Sequence, residues 1–294
     1  ICPDIGVGVI EVCRQIVKPG DLIMINTPVY FNFFSWIKEL NCVAYDVPLI
    51  EDQLDYSLNF KEIETGYASG VKVQILCNPH NPVGAVFLQQ DLARLADLAS
   101  RYGVLIASDE IHAPLVFAES KFTPFLDASP VAKKVGIAFL SATKSWNIAG
   151  LKCAIIISQS EKMHEKLNQL PPALHYRASL LGAFATVAAF EKGEPWLDQA
   201  IEILDENRQL IANLVSARIP SVKYAMPHCS YLAWLDVSAL NLGEDPGAVL
   251  IEKAKVAFNS GHIYGALGKS HVRFNFATSP AIITEAIERI ARVL

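Results

Sequence analysis

The chain has 294 residues, of which 52% are hydrophobic and 19% are charged, and its formal net charge at pH 7 is −5. A chain of this length and composition can bury the core of one large domain and of a smaller one. The mild negative charge, without a basic stripe in the sequence, argues against a nucleic acid as the main partner. The longest apolar run, residues 178–190, is too short to span a membrane and is expected to form a buried helix.

The six cysteines are scattered along the chain and form no C-x-x-C pair. A disulfide framework or a metal site is therefore not expected, and a reducing, cytoplasmic setting fits this spacing best. The sequence begins at Ile1 rather than at a methionine, and a helical pattern follows almost at once, without the basic start of a signal peptide. We therefore expect that part of the natural N-terminus is missing.

Apolar periodicity and turn residues predict short strands that alternate with helices, followed by a long helix and shorter elements. Strands are predicted over residues 22–25, 42–47, 71–77, 104–107, 135–140, 153–157, 231–237 and 272–276. Helices are predicted over residues 4–18, 31–40, 89–102, 195–217, 246–259 and 282–293.

This alternation indicates an α/β fold with a mostly parallel central sheet between helices, because strands buried on both faces read as continuous apolar runs. We assign residues 1–193 to this large domain and residues 194–294 to a smaller C-terminal α+β domain. Polar residues cluster just after the predicted strands, and ligands of open α/β sheets bind at that edge. The functional site is therefore expected there.

Lys144 follows the apolar strand predicted over residues 135–140. A lysine just beyond a strand is more often an ordinary surface residue than a catalytic one. A lysine that loses water at the end of a core strand, however, has a lowered pKa and becomes a nucleophile toward aldehydes. Such a Schiff-base lysine needs a partner for the ring of an aldehyde cofactor and an anchor for the phosphate of that cofactor.

Candidates for the ring partner and for substrate binding follow or interrupt other strands. Asp109 comes just after the apolar run 104–107 and can hold the N–H of a pyridinium ring, which makes such a ring an electron sink. His112 lies three residues further on and can reach the same ring. Arg273 interrupts an apolar strand and is suited to a substrate carboxylate, with a salt bridge to a nearby acid as the alternative.

Candidates for the phosphate anchor lie near Lys144 and at the start of the first helix. Ser141 and Thr143 offer hydroxyl groups, and Lys152 offers a positive charge. The helix start around residues 4–8 offers backbone N–H groups and the positive end of the helix dipole. The glycines in this helix start would allow close approach of a ligand, or they reflect ordinary variation at a helix start.

Four motifs occur along the chain in this order: NPHNPVG at 78–84, SDEIH at 108–112, SATK at 141–144 and RFN at 273–275. The segment YLAWLD at 231–236 adds to them. Together they resemble the fold-type I pyridoxal-phosphate enzymes of the aminotransferase class I and II family, and the resemblance covers essentially the whole chain. Within that family the chain resembles the cystathionine β-lyase group typified by the MalY and PatB proteins.

The resemblance implies a set of roles around the cofactor ring. Lys144 would hold pyridoxal phosphate covalently, Asp109 would bind the pyridine nitrogen, and Tyr30 would stack on the ring. Asn81 would bind the ring oxygen O3′ and help to bind the substrate α-carboxylate. His112 would lie near the same oxygen, and this histidine, at a position where many aminotransferases have tyrosine, favours the lyase group.

The resemblance also implies how the phosphate and the substrate are bound. Ser141, Lys152 and the backbone at Ile5 and Gly6 would hold the phosphate. Arg273 would bind the α-carboxylate of the amino-acid substrate. Members of this family form homodimers, and a second copy of the chain is therefore the expected partner.

The activity that the resemblance implies is a pyridoxal-phosphate-dependent carbon–sulfur β-lyase, which cleaves cystathionine or cysteine S-conjugates to a thiol, pyruvate and ammonia. Two alternatives stay open: an aminotransferase, which shares the cofactor residues, and a non-enzymatic regulatory domain with the same fold.

The chain departs from the family pattern in two places. Relatives carry a segment before the position of Ile1, with an N-terminal arm and a tyrosine that reaches the partner's cofactor. Residues 175–179 depart from the usual pattern of the lyase group.

Overall fold

A computed structural model describes residues 1–293, and none of the helices in that range is long and apolar enough to cross a membrane. The strands are β1 Leu22–Ile25, β2 Val43–Asp46, β3 Ile50–Asp52, β4 Asp55–Ser57, β5 Val73–Cys77, β6 Leu105–Asp109, β7 Gly136–Leu140, β8 Ile155–Ile157, β9 Lys223–Tyr224, β10 Leu232–Asp236, β11 Asn259–Ser260 and β12 His271–Asn275. The helices are α1 Ile5–Arg14, α2 Asn32–Glu39, α3 Phe60–Ala68, α4 Gln89–Tyr102, α5 Ala132–Val135, α6 Glu161–Leu167, α7 Pro172–Tyr176, α8 Leu180–Lys192, α9 Glu194–Arg218, α10 Pro246–Ala254 and α11 Pro280–Val293.

The larger sheet has the strand order β2-β1-β5-β6-β7-β8, and all of its neighbouring strands are parallel except β7 and β8. β5 and β6 are buried along their whole length because apolar clusters cover both faces of the sheet. Helices α3 and α4 contribute Ile63 and Leu92 to one cluster, and α1 and α2 contribute Val9 and Phe33 to the other. The predicted α/β fold with a mostly parallel central sheet is confirmed.

The register of the parallel strands brings their carboxyl ends to one edge of the sheet. Cys77 at the end of β5 lies opposite Asp109 at the end of β6, and Asp109 lies opposite Phe139 near the end of β7. The loops that follow these three strands therefore emerge side by side, and the motifs NPHNPVG, SDEIH and SATK lie at or directly after these strand ends.

A second, antiparallel sheet has the strand order β11-β12-β10-β9. Its core is a separate apolar cluster, in which Ile211 of α9 and Ile283 of α11 pack with Val272 of β12. The domain boundary predicted between residues 193 and 194 falls between α8 and α9, and it stays a prediction.

Some elements differ from the prediction. The helix predicted over residues 246–259 ends at Ala254, because Lys255 takes a left-handed conformation with φ of 57° and Asn259 then enters β11. The hairpin of β3 and β4 and the helices α3, α6 and α7 were not predicted. β3 is exposed along its length, and it therefore lacks the apolar run that identifies a strand.

The apolar run 178–190 forms a helix, α8, but the prediction that this helix is buried is wrong. Its buried residues are the small ones Gly182, Thr186 and Ala189, and a Cβ at Gly182 would overlap the carbonyl oxygen of Leu151. Its large side chains face outward, with Leu181 71% and Phe184 66% exposed. The helix therefore packs closely through glycine, threonine and alanine and presents an apolar outer face.

Candidate active site

A cavity of about 460 Å³ lies between the carboxyl ends of β5, β6 and β7 and the strands β10 and β12 of the second sheet. Most of the site residues predicted from the sequence line this cavity: Ile5, Gly6, Tyr30, Asn81, Asp109, His112, Thr143, Lys144, Lys152 and Arg273. The fold thus brings together residues from the first helix, from the ends of β1, β5, β6 and β7 or the loops that follow them, and from the second sheet.

The loop that carries Lys144 is held in a tight turn. The amide of Trp146 donates to the carbonyl of Ala142 at 3.1 Å, and the amide of Ile148 donates to the carbonyl of Thr143 at 3.1 Å. The indole N–H of Trp146 donates to the carbonyl of Gly193 at 2.9 Å, which ties the loop to the junction of α8 and α9. The lysine is therefore presented by a fixed turn.

The Lys144 amine faces the cavity among charged groups. Loss of water around the amine lowers the pKa of Lys144, and the positive charge of Arg273 lowers it further, while the negative charge of Asp109 opposes both effects. A larger share of the amine is therefore uncharged near neutral pH than in a free lysine. An uncharged amine can attack an aldehyde and can accept a proton.

Asp109 is the last residue of β6 and is buried at the cavity wall. Within residues 1–293, its side chain accepts one hydrogen bond, from the amide of Ile111 at 3.1 Å. Burial raises the pKa of Asp109 to about 7, and the Ile111 amide and Lys144 only partly offset this. A buried carboxylate with so few donors has room for a further N–H, and a positively charged ring nitrogen would suit it best.

Arg273 of β12 is paired with amides instead of acids. Its Nη1 donates to Oδ1 of Asn81 at 3.0 Å, and its Nη2 donates to Oδ1 of Asn259 at 2.9 Å. No carboxylate among the described residues forms an ion pair with it, so the predicted alternative of a salt bridge is wrong for residues 1–293. Its Nε is buried and lacks a hydrogen-bond partner in the same range. The guanidinium charge is therefore available to an anion in the cavity.

His112 is buried and lines the same cavity. Burial lowers the pKa of His112 to about 3, and the positive charges of Lys144 and Arg273 contribute to this shift. The imidazole is therefore uncharged at neutral pH. Its Nδ1 lies 3.1 Å from the hydroxyl of Ser230, and its ring packs edge-on against Tyr231.

Aromatic side chains from the region before and within α2 form one wall of the cavity. Tyr30 packs against Phe31 and Trp36 with ring centroids 5.0 and 6.1 Å apart. The side-chain amide of Asn32 donates to the Tyr30 hydroxyl at 2.6 Å. Burial raises the pKa of Tyr30, which keeps its hydroxyl protonated at neutral pH. A flat ring held against Tyr30 would meet a rigid face.

The start of α1 forms the end of the cavity suited to an anion. Asp4 caps the helix by accepting from the amide of Val7 at 2.9 Å, and Lys152 lies 3.4 Å from the other oxygen of Asp4. A Cβ at Gly6 would lie 2.9 Å from Nε1 of Trp36, so glycine lets the indole pack against the backbone. Helix amides together with a lysine are a common binding site for phosphate.

The sequence matches the aminotransferase class I and II family over residues 6–290. The chain belongs to this family. A cystathionine β-lyase of Corynebacterium glutamicum is 35% identical over 292 residues, which cover 99% of this chain and 77% of the relative. Cystathionine β-lyase PatB of Bacillus subtilis is 34% identical over 284 residues, which cover 94% of this chain and 72% of PatB.

A solved structure shows the same fold. It comes from Corynebacterium diphtheriae and is proposed to be a pyridoxal-phosphate-dependent β-cystathionase. The two structures superpose with a TM-score of 0.94 at 34% sequence identity, over 99% of this chain and 76% of the other. The predicted family and its cystathionine β-lyase branch are confirmed.

One predicted site residue of this aminotransferase-family chain lies outside the cavity wall. The hydroxyl of Ser141 donates to the carbonyl of Cys153 at 2.6 Å and lies 2.9 Å from the hydroxyl of Thr143. Its Oγ also accepts from the amide of Thr143 at 3.3 Å. Ser141 thus shapes the turn toward Lys144, and contact of its side chain with a phosphate stays a prediction.

Several residues that the aminotransferase-family fold places at the site were not predicted from the sequence. Asn32 lines the cavity and donates a hydrogen bond to the Tyr30 hydroxyl. Ser230, which is not part of the cavity lining, contacts Nδ1 of His112. Oδ1 of Asn259 accepts a hydrogen bond from Nη2 of Arg273. Each of them is a small polar residue at the end of an element, and such residues are common enough in loops that the sequence carries no distinguishing signal.

Proposed function

We propose that the chain is a pyridoxal-phosphate-dependent carbon–sulfur β-lyase that cleaves cystathionine or cysteine S-conjugates to a thiol, pyruvate and ammonia. The observation that carries this proposal is the placement of Lys144, Asp109 and Arg273 around one cavity. Similarity to two cystathionine β-lyases over more than nine tenths of the chain supports the lyase over other activities of the family.

The cavity residues fit pyridoxal phosphate. Lys144 would hold it covalently through Nζ, and the buried carboxylate of Asp109, which has one donor among residues 1–293, would accept from the ring N–H. Tyr30 would support the ring face, and the start of α1 with Lys152 would bind the phosphate. When bound, pyridoxal phosphate supplies an electron sink that stabilises negative charge at the substrate α-carbon.

Arg273 and Asn81 would bind the substrate α-carboxylate together. The guanidinium has no acid partner among the described residues, and its hydrogen bond to Asn81 at 3.0 Å sets the position of both groups. A carboxylate bound by this pair is fixed in orientation, which places the α-hydrogen of the substrate toward a chosen side of the cavity. Positioning of this kind selects which bond of the substrate is broken.

Lys144 would also act as the general base. Burial and the charge of Arg273 lower the pKa of Lys144, which increases the share of the amine that is uncharged at neutral pH. An uncharged Nζ can take the proton from the substrate α-carbon. His112 stays uncharged beside it, so that it adds no second positive charge to the site.

Substitution of Lys144 by alanine tests the proposal. We expect Lys144→Ala to lose the visible absorbance of bound pyridoxal phosphate and to reduce pyruvate and thiol release from cystathionine by at least about 10³-fold, since base and attachment are both lost. Lys133→Ala, an exposed lysine on α5, is the matched control and should keep full activity. Unchanged turnover of Lys144→Ala would refute the assignment.

The same assay separates the two alternatives from the lyase. Pyruvate and thiol release without an added 2-oxo acid supports a β-lyase, because the elimination needs no amino-group acceptor. Strict dependence on such an acceptor would indicate an aminotransferase. Binding of pyridoxal phosphate without turnover of any cysteine conjugate would indicate a regulatory domain.

The expected homodimer has support from α8. Leu180, Leu181, Phe184, Val187 and Phe190 form an apolar outer face on this helix, and each of these side chains is exposed. A contiguous apolar face of this kind marks an interaction surface. We take a second copy of the chain as the partner of this face. The cytoplasmic location expected from the sequence stays a prediction.

A further inference from the structure

Ser230 and His112 form a buried pair behind the cavity wall. Their side chains are 3.1 Å apart between Oγ and Nδ1, and the two residues are 3% and 4% exposed. Ser230 lies in the turn that leads into β10, and His112 lies in the loop that follows β6. The pair therefore joins the two sheets at the site.

Backbone hydrogen bonds fix the distance between these two residues. The amide of Ser230 donates to the carbonyl of Leu115 at 2.8 Å, and the amide of Phe117 donates to the carbonyl of His228 at 3.1 Å. An isolated antiparallel bridge joins the residues between them, Val116 and Cys229. The two segments are thus held together on both sides of the pair.

The backbone of Ser230 favours another residue type. Its φ is 72°, in the left-handed region that glycine adopts without strain. A serine in this conformation costs free energy that contacts with its surroundings must offset, and its backbone and its side chain can both supply such contacts. The contact of Ser230 with His112 is the side-chain hydrogen bond that the structure records for it within residues 1–293.

The need to find an acceptor for the Ser230 hydroxyl proton decides which of the two groups donates this hydrogen bond. If Nδ1 of His112 were protonated and donated to Ser230, the buried hydroxyl proton would lack an acceptor among the described residues. A buried donor without an acceptor is strongly disfavoured. The favoured arrangement therefore has the Ser230 hydroxyl donating to a bare Nδ1.

We propose that Ser230 is a positioning residue that holds His112 as the tautomer with its proton on Nε2, so that the imidazole presents an N–H donor to the cavity. The uncharged state of His112 follows from its burial beside Lys144 and Arg273. That this donor meets an oxygen of a bound cofactor or substrate rests on the proposed function. The assignment of the tautomer does not rest on the proposed function.

The test reads the two nitrogens of His112 directly. Nitrogen-15 spectra are recorded on the full chain with labelled histidine, as purified and after addition of pyridoxal phosphate, and His112→Gln assigns the signal. We expect a protonated Nε2 and a bare Nδ1 that carries the upfield shift of a hydrogen-bond acceptor. In Ser230→Ala and Ser230→Gly the Nδ1 signal should move downfield and a second tautomer should appear.

The two variants separate positioning from a backbone role. Glycine suits the φ of residue 230 and keeps the fold without the hydroxyl, so a purely structural role for Ser230 would leave the His112 signals unmoved in Ser230→Gly. Ser120→Ala is the matched control, because Ser120 forms the corresponding contact with His228 at 3.0 Å. It should shift the signals of His228 and leave those of His112 in place.

Two results would overturn the proposal: a proton on Nδ1 of His112 in the unchanged protein, or Nδ1 signals that stay in place in both Ser230 variants. Absorbance of bound pyridoxal phosphate is measured on the same samples. The expected His112 signals in a chain that fails to bind this cofactor would support the role of Ser230 and contradict the proposed function.

Discussion

Arg273 is a half-buried cation held by two neutral amides, and this arrangement predicts the effect of a conservative substitution. In Arg273→Lys the planar pair of donors is lost while one positive charge remains. We expect kcat/KM for cystathionine to fall roughly 30- to 150-fold, mainly through KM, since a charge-assisted hydrogen bond contributes about 2–3 kcal/mol.

The control for this substitution is Arg289→Lys, an exposed arginine of α11 that pairs with Glu285. It should leave kcat and KM unchanged. Absorbance of bound pyridoxal phosphate should also be unaffected in Arg273→Lys, because Lys144 and Asp109 stay in place. A loss of cofactor with an unchanged KM would contradict the assignment of Arg273 to the substrate.

Two adjacent buried acids at the end of β6 predict a pH-dependent stability. Burial raises the pKa of Asp109 to about 7 and that of Glu110 to about 7 as well. The folded chain therefore binds more protons than the unfolded chain between the ordinary carboxyl pKa near 4 and about 7. Without the cofactor, the free energy of unfolding should fall as pH rises through this window.

Asp109→Asn tests this pH dependence. The amide cannot ionise, so the variant should show a flatter fall of the thermal midpoint between about pH 5 and pH 7 than the cofactor-free wild-type chain. Glu110 keeps most of its share, because burial is the largest cause of its raised pKa and the lost charge of Asp109 is a smaller one. Added pyridoxal phosphate should lessen the fall in the wild type, because its ring N–H would stabilise the ionised Asp109, and it should not do so in the variant. A pH profile identical in both proteins would contradict the raised pKa of Asp109.

At the scale of the element, the apolar run at α8 predicts the helix correctly but does not predict its buried face. Apolar content predicted a helix there, and the structure has one at Leu180–Lys192. The apolar pattern does not show which face is buried, because the buried residues are Gly182, Thr186 and Ala189 and not the large apolar ones. By contrast, α4 has a regular apolar stripe and ends at Gly103 with φ of 70°, and its predicted bounds match those observed.

Gly182→Ala tests the close packing of α8. Alanine normally favours a helix over glycine by about 1 kcal/mol, but here its Cβ would overlap the carbonyl oxygen of Leu151. We expect the free energy of unfolding to fall by about 1–3 kcal/mol, as for other overpacked sites. Gly150→Ala, where nothing lies within 4 Å of a Cβ, is the control and should change it little. A stabilised Gly182→Ala protein in chemical denaturation would contradict the packing.

The site could be predicted from the sequence to the extent that its residues lie in short motifs. Lys144, Asp109 and Arg273 each follow or interrupt an apolar strand, and parallel register brings the first two together. The partners that orient them could not be predicted. Ser230 and Asn259 act through contacts across 118 and 14 residues of chain, and local sequence carries no signal for such distant pairing.

At the scale of the whole molecule, the apolar face of α8 predicts association. Phe184→Glu places a charge at the centre of that face, where the native side chain is 66% exposed. We expect sedimentation to show a dimer for the wild type and a dissociation constant raised by at least about 10²-fold in the variant, since burial of an unpaired charge is costly. Ile203→Glu, on the exposed side of α9, serves as the control. A monomeric wild type would contradict the proposed homodimer.

Lys144 and Asp109 belong to the large parallel sheet, whereas Arg273 belongs to the antiparallel one. The hydrogen bond between Arg273 and Asn81 crosses from one to the other. The groups assigned to bond breaking and the group assigned to the substrate α-carboxylate therefore belong to separate sheets. Substitutions beneath the antiparallel sheet can shift the bound α-carboxylate relative to Lys144 while Lys144 and Asp109 keep their own local contacts, and this separation gives the fold a route by which the orientation of a substrate can evolve.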